Sequence, residues 1–101
     1  MSRLFIFLMA MYSIMASPLA FSLDVFNGKQ LYAQHCSGCH GASGEGNMPG
    51  LPNFAQGEQM FKSDGELHDS IRNGSGVMPG FSGLLKEEEI SDIVTYLRTF
   101  L

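Results

Sequence analysis

The apolar positions of this chain fall into three helical stripes, separated by two long stretches rich in glycine and proline. The first stripe follows Asp24, a good N-cap. Val25, Gly28, Leu31, Tyr32 and Cys36 then recur at helical spacing and share one face. The second follows Ser63, with Glu66 three residues on in a capping-box pattern. Leu67 and Ile71 line its inner face, and Asn73-Gly74 stops it. The third spans about Lys86 to Phe100, with Ile90, Ile93, Val94 and Leu97 as its apolar stripe. Glu87, Glu88 and Glu89 stand in its first turn, where negative charge complements the helix dipole. No segment alternates with period two for long enough to predict a strand. The intervening stretches, Gly41 to Gly57 and Gly74 to Gly83, are long for so small a domain unless they wrap something. The pattern predicts an all-α fold in which three short helices and two wrapping loops form a shell around a flat, apolar guest.

The segment ahead of the first stripe has a different character. Arg3 precedes a run from Leu4 to Ala16 that is apolar except for Tyr12 and Ser13. Pro18 breaks any helix, and Ala20-Phe21-Ser22 places small residues where a signal peptidase reads. A basic start, a short apolar core and a cleavage site make 1–22 an export leader and 23–101 the working domain. The run is shorter than the roughly 20 residues a membrane span needs. No stable membrane insertion is therefore expected once the leader is removed; the other reading is a leader kept as an N-terminal anchor. Loss of Arg3 takes the formal charge from −4 to −5. An acidic surface argues against nucleic acid as a partner. It favours a basic or apolar docking partner, with steering that salt weakens. A domain this small buries a thin core and often needs a staple, a metal or a cofactor.

The chemistry is carried by Cys36-Ser37-Gly38-Cys39-His40, a C-x-x-C-H run. This is the attachment signature of haem c. Residues three apart on a helical turn share a face, so two thiols can each add to one haem vinyl group. His40, next in sequence, can then offer a neutral imidazole to the iron. Three rival readings exist. A thioredoxin-type redox dithiol wants a βαβ context, which is missing. A structural zinc site wants four ligands, and the adjacent His35 and Cys36 chelate poorly together. A plain disulfide is the compositional default for two cysteines in an exported chain.

With these residues in place, the chain resembles the class I, single-haem cytochrome c family over nearly all of 23–101. The resemblance implies a small cytochrome c-like fold, with the first and last helices crossing over one covalently bound haem c. It pairs Gly28 and Tyr32 with Ile93 and Tyr96 at that crossing, where glycine allows close approach. It implies that the carbonyl of Pro52, twelve residues after His40, accepts a hydrogen bond from His40 Nδ1; the other reading of Pro52 is a simple turn residue. The family usually has Ser or Thr where Lys86 stands, so the last helix starts on a poor cap.

A closed electron-transfer iron needs a sixth ligand, and a thioether there raises the potential. Met78, in Gly76-Val77-Met78-Pro79-Gly80-Phe81, resembles the family's distal loop. It lies 38 residues beyond His40, enough chain to reach the opposite face. Met48 is only eight residues from His40, and Met60 reads as packing. Met78 is the favoured ligand, so the expected iron ligands are His40 and Met78. His35 and His68 read as surface residues, with His68 a substitute ligand should Met78 dissociate.

The function implied is a small soluble carrier of single electrons, not an enzyme, located in the bacterial periplasm. It would meet a protein donor and a protein acceptor through an exposed haem edge. The alternatives are a dedicated electron-accepting subunit of a periplasmic dehydrogenase, a haem peroxidase or a gas-binding haem protein.

Overall fold

The structure, a computed structural model, describes residues 23–101 together with Arg3, Phe5 and Ile6. But for those three residues, the expected leader over 1–22 lies outside the described part. Four α-helices follow in chain order: α1 (Val25–His35), α2 (Ser37–His40), α3 (Asp64–Asn73) and α4 (Glu87–Leu97). Within 23–101, short 3-10 turns at Phe54–Gln56 and Arg98–Phe100 complete the helical content. The all-α expectation holds among the described residues, where β pairing is limited to isolated bridges between Ser75 and Met78 and between Ser82 and Leu85. None of the described helices is long and apolar enough to cross a membrane.

The helix starts follow the side-chain chemistry. Asp24 caps α1 by accepting from the Asn27 N–H at 3.0 Å. Ser63 caps α3 by accepting from the Glu66 N–H at 3.1 Å, and Glu66 returns the bond to the Ser63 N–H. At α4 a lysine cannot accept, so only the return half forms: Glu89 Oε1 accepts from the Lys86 N–H at 2.9 Å. That bond sets the first residue of α4 at Glu87. The stripe then ends in a tighter 3-10 turn instead of running as α-helix to Phe100.

The core is the crossing of α1 on α4. Tyr32, Ile90 and Ile93 are almost fully buried there, with Leu31, Val94 and Leu97 around them. The helices touch at Gly28: a methyl group at that position would sit 2.0 Å from the Asp92 carbonyl oxygen and 3.1 Å from Tyr96 Cβ. Tyr32 meets Tyr96 and Phe100 edge-on, with ring centroids 5.4 and 5.2 Å away. Of the predicted pairing, Gly28 and Tyr32 both meet Tyr96, and Phe100 joins them; Gly28 otherwise faces the Asp92 backbone, with Ile93 buried in the same core. α3 packs against α4 from the side, through the buried Leu67 and Ile71.

Candidate haem-binding site

Between the helix crossing and the two loops lies an apolar cavity of about 430 Å³. It falls within the usual range of ligand pockets, about 300–1,000 Å³. Tyr32, Leu67, Ile71, Ile93 and Leu97 from the three longer helices line one side of it. Cys36 and His40 come from the attachment run; Leu51, Pro52 and Phe54 from the first loop; Gly76, Val77 and Met78 from the second. Four of the five residues singled out by sequence therefore share one cavity: Cys36, His40, Pro52 and Met78. Cys39 lies outside the wall and is exposed.

The attachment run does not continue α1 smoothly. Cys36, with φ −119° and ψ −36°, separates α1 from α2, and its N–H still bonds to the Tyr32 carbonyl at 2.9 Å. This break turns Cys36 inward and leaves Cys39 outward, although the two are only three residues apart. Both thiols are free. Burial and the neighbouring Cys39 push the Cys36 thiol up to about 11. A redox dithiol needs the opposite shift, toward a thiolate at neutral pH. A structural zinc site also lacks support, since no group of three or more His, Cys, Asp or Glu among the described residues could hold a metal ion.

His40 ends α2, its ring stacked on Phe54 at 5.1 Å between centroids. Burial lowers its pKa, favouring the neutral imidazole, which is the form that binds a metal. Its Nδ1 is buried and has no hydrogen-bond partner. The bond to the Pro52 carbonyl that the resemblance implies is not made in this structure, although Pro52 lines the same cavity. A buried polar atom without a partner costs free energy, so the unpaired Nδ1 favours a small shift of ring or loop that would bring it to an acceptor. Tyr32 closes the site behind the ring, its hydroxyl donating to the Gly41 carbonyl at 2.6 Å. Burial raises the Tyr32 pKa, which keeps that donor protonated.

Met78 reaches the cavity from a loop fixed at both ends. Its N–H donates to the Ser75 carbonyl at 2.9 Å, and the Ser75 N–H donates to the Met78 carbonyl at 3.1 Å. Gly74, at φ 81°, is needed for this turn: a methyl group there would sit 2.7 Å from the Met78 carbonyl oxygen. Beyond it, the Phe81 and Ser82 N–H groups donate to the Ile71 and Arg72 carbonyls, both at 3.0 Å, which tie the loop to α3. The other two methionines are elsewhere. Met48 is half exposed and Met60 is buried in the core; neither lines the cavity. His35 is exposed, edge-on to Phe81. His68 contacts Glu87 and Arg72 and does not reach the cavity wall.

The donor set fits haem c: an apolar slot, a thiol and an imidazole on one wall, and a thioether on a braced loop. Sequence reasoning missed Arg98 and Asp92, which hold the shell together. Arg98 binds the Met60 and Lys62 carbonyls, both at 2.7 Å, and Asp64 Oδ1 at 2.8 Å. The nearly buried Asp92 carboxylate accepts from the Asp24 N–H at 2.8 Å and from Asn27 Nδ2 at 3.0 Å. Asp92 is a carboxylate beside the apolar stripe of α4, a signal visible in the sequence; nothing local marks Arg98.

Comparison with known proteins points the same way. A family model described as cytochrome c oxidase, cbb3-type, subunit III, matches residues 24–97. The cytochrome c6 of Gracilaria tenuistipitata var. liui is 31% identical over 81 residues, covering 78% of this chain and 75% of that protein. The solved structure of the KustC0563 c-type cytochrome superposes with a TM-score of 0.65 at 32% identity, over 72% of this chain and 95% of that one. Cytochrome c6 of the diatom Phaeodactylum tricornutum shares the fold, with a TM-score of 0.62 at 24% identity, over 75% of this chain and 92% of that one.

Proposed function

The chain belongs to the class I, single-haem cytochrome c family, and on that premise we propose that it passes electrons between redox proteins of the bacterial periplasm. It is an electron carrier with one covalently bound haem c. In the proposed role it is a carrier and not an enzyme. The supporting observation for the site is the convergence of Cys36 and His40, from the attachment run, and Met78, from the second loop, on one apolar cavity.

When bound, haem c would supply the one-electron redox chemistry. The chain's own residues do the rest. Cys36 and Cys39 would hold the group through thioether links, and the exposed Cys39 puts one attachment point at the surface where a partner can approach. His40 serves as the proximal ligand, held neutral by burial. Pro52 is the proposed acceptor for its Nδ1, which fixes the ring's orientation and raises its basicity. Met78 would supply the second axial ligand, and the tie of its loop to α3 would hold the thioether in place against water. Leu67, Ile71, Ile93 and Leu97 exclude water from the ring face, a low-dielectric setting that limits reorganisation when the charge changes.

The test is a visible spectrum of the exported protein in both oxidation states, together with its mass. The haem is expected to survive denaturation and to add to the polypeptide mass. A bare polypeptide mass overturns the reading, as does a native holoprotein with water on its iron. Met78→Ala is expected to lower the reduction potential, within the roughly 0.8 V range that axial ligands command, and to admit carbon monoxide to the reduced iron. An unchanged potential and spectrum would move the ligand to Met48 or Met60.

A further inference from the structure

Among the described residues, Lys62 is the only Lys, Arg, Asp or Glu that lines the cavity. Gln59, beside it on the same wall, is the only non-glycine among the described residues with a positive φ, 67°. A side chain in that region of backbone space is strained, and such strain collects at functional sites. Lys62 is half-buried, and among the described residues it forms no ion pair. An ammonium beside an apolar cavity without an anionic partner is unfavourable, and a carboxylate brought there would correct it.

The segment that carries both residues is braced. Arg98, just past α4, donates through Nη1 to the Met60 carbonyl and through Nη2 to the Lys62 carbonyl, both at 2.7 Å. Its Nε and Nη2 both reach Asp64 Oδ1, at 3.0 and 2.8 Å. The Lys62 N–H donates to the Gln59 carbonyl at 3.2 Å, which closes the turn. Gln59 and Lys62 thus stand on a backbone pinned to the end of α4 at the cavity wall.

A haem brings two propionate carboxylates to any cavity it enters. We propose that Lys62 and Gln59 receive a haem propionate, the ammonium as counter-charge and the side-chain amide as hydrogen-bond donor. The pair thereby orients the ring and raises its reduction potential. This rests on the haem c reading above. The electrostatics follow from charge: the oxidised iron carries one more positive charge than the reduced iron. A cation held near the ring in low dielectric disfavours the oxidised form.

The experiment is potentiometry on the haem-loaded Lys62→Arg, Lys62→Gln and Lys62→Glu proteins, with Lys29→Gln as control. Lys29 is an exposed residue of α1 outside the cavity wall, and its replacement changes the net charge as much as Lys62→Gln does. The potential is expected to stay near wild type in Lys62→Arg, to fall in Lys62→Gln and to fall further in Lys62→Glu. Lys29→Gln should shift it much less, and raised salt should abolish the Lys29 effect first. Gln59→Gly removes the amide while relieving the backbone. It is expected to be at least as stable as wild type, yet to shift the potential and the haem methyl resonances of the oxidised protein. Potentials that ignore the charge at position 62 overturn the role of Lys62, whose head would then simply extend into water. A Gln59→Gly protein with unaltered potential and resonances overturns that of Gln59. Either failure, seen on protein with intact covalent haem and an unaltered visible spectrum, leaves the electron-carrier reading standing; loss of haem from the wild-type protein would sink both.

Discussion

Gly28 is the position where one hydrogen atom in place of a methyl group decides whether two helices meet. Its neighbour across the crossing is backbone, the Asp92 carbonyl, and backbone cannot rotate away as a side chain can. Gly28→Ala is therefore expected to lower stability by about 1–3 kcal/mol or more, the usual cost of overpacking a core, read as a lower denaturant midpoint at unchanged slope. A midpoint equal to wild type would mean that the crossing tolerates separation. The attachment run teaches a related lesson. Spacing alone puts Cys36 and Cys39 on one face, yet the break at Cys36 buries the first thiol and exposes the second. His40 was legible as a ligand from its place in the run; that its Nδ1 lacks a partner was not, because that depends on which carbonyls the folded loop brings near.

At the scale of elements, α4 does more than supply an apolar stripe. Its Asp92 carboxylate holds the first turn of α1 through the Asp24 N–H and the Asn27 amide. A negative charge at a helix N-terminus also complements the dipole. Asp92→Ala leaves those donors unpaired and is expected to cost about 1–3 kcal/mol. Hydrogen exchange should show faster opening of Asn27 and Gly28 than of the α3 amides. Uniform acceleration would instead mean that Asp92 stabilises the whole domain and not the α1 start. The acidic first turn of α4 also acts locally: Glu89 caps, and Glu87 pairs with His68 at 3.1 Å and Arg72 at 3.3 Å. These contacts join α4 to α3, the helix that ties down the Met78 loop.

At the scale of the molecule, the core is thin on one side because the cavity occupies its middle. A group that binds only the folded state adds its binding free energy to stability. His40→Ala and Cys36→Ala are each expected to abolish a stable haem-bearing protein. The check is haem staining after denaturing electrophoresis, with protease resistance of the exported chain. Variants that stay folded and loaded would show that these residues do not hold the group. Met78→Ala, by contrast, is expected to leave attachment intact, because it removes a ligand and not a covalent link.

Local chemistry was written in the chain itself. The caps at Asp24 and Ser63, the stop at Asn73-Gly74, the three apolar stripes and the C-x-x-C-H run each depend on residues within a turn or two of one another. The attachment motif that opens the family resemblance is local in the same way, while the rest of that resemblance is spread over 23–101. Tertiary structure decided which of three methionines borders the cavity, which cysteine faces inward, and that Arg98 braces the wall carrying Gln59 and Lys62. Those outcomes join residues tens of positions apart, and their energies come from packing and long-range hydrogen bonds that no local pattern encodes.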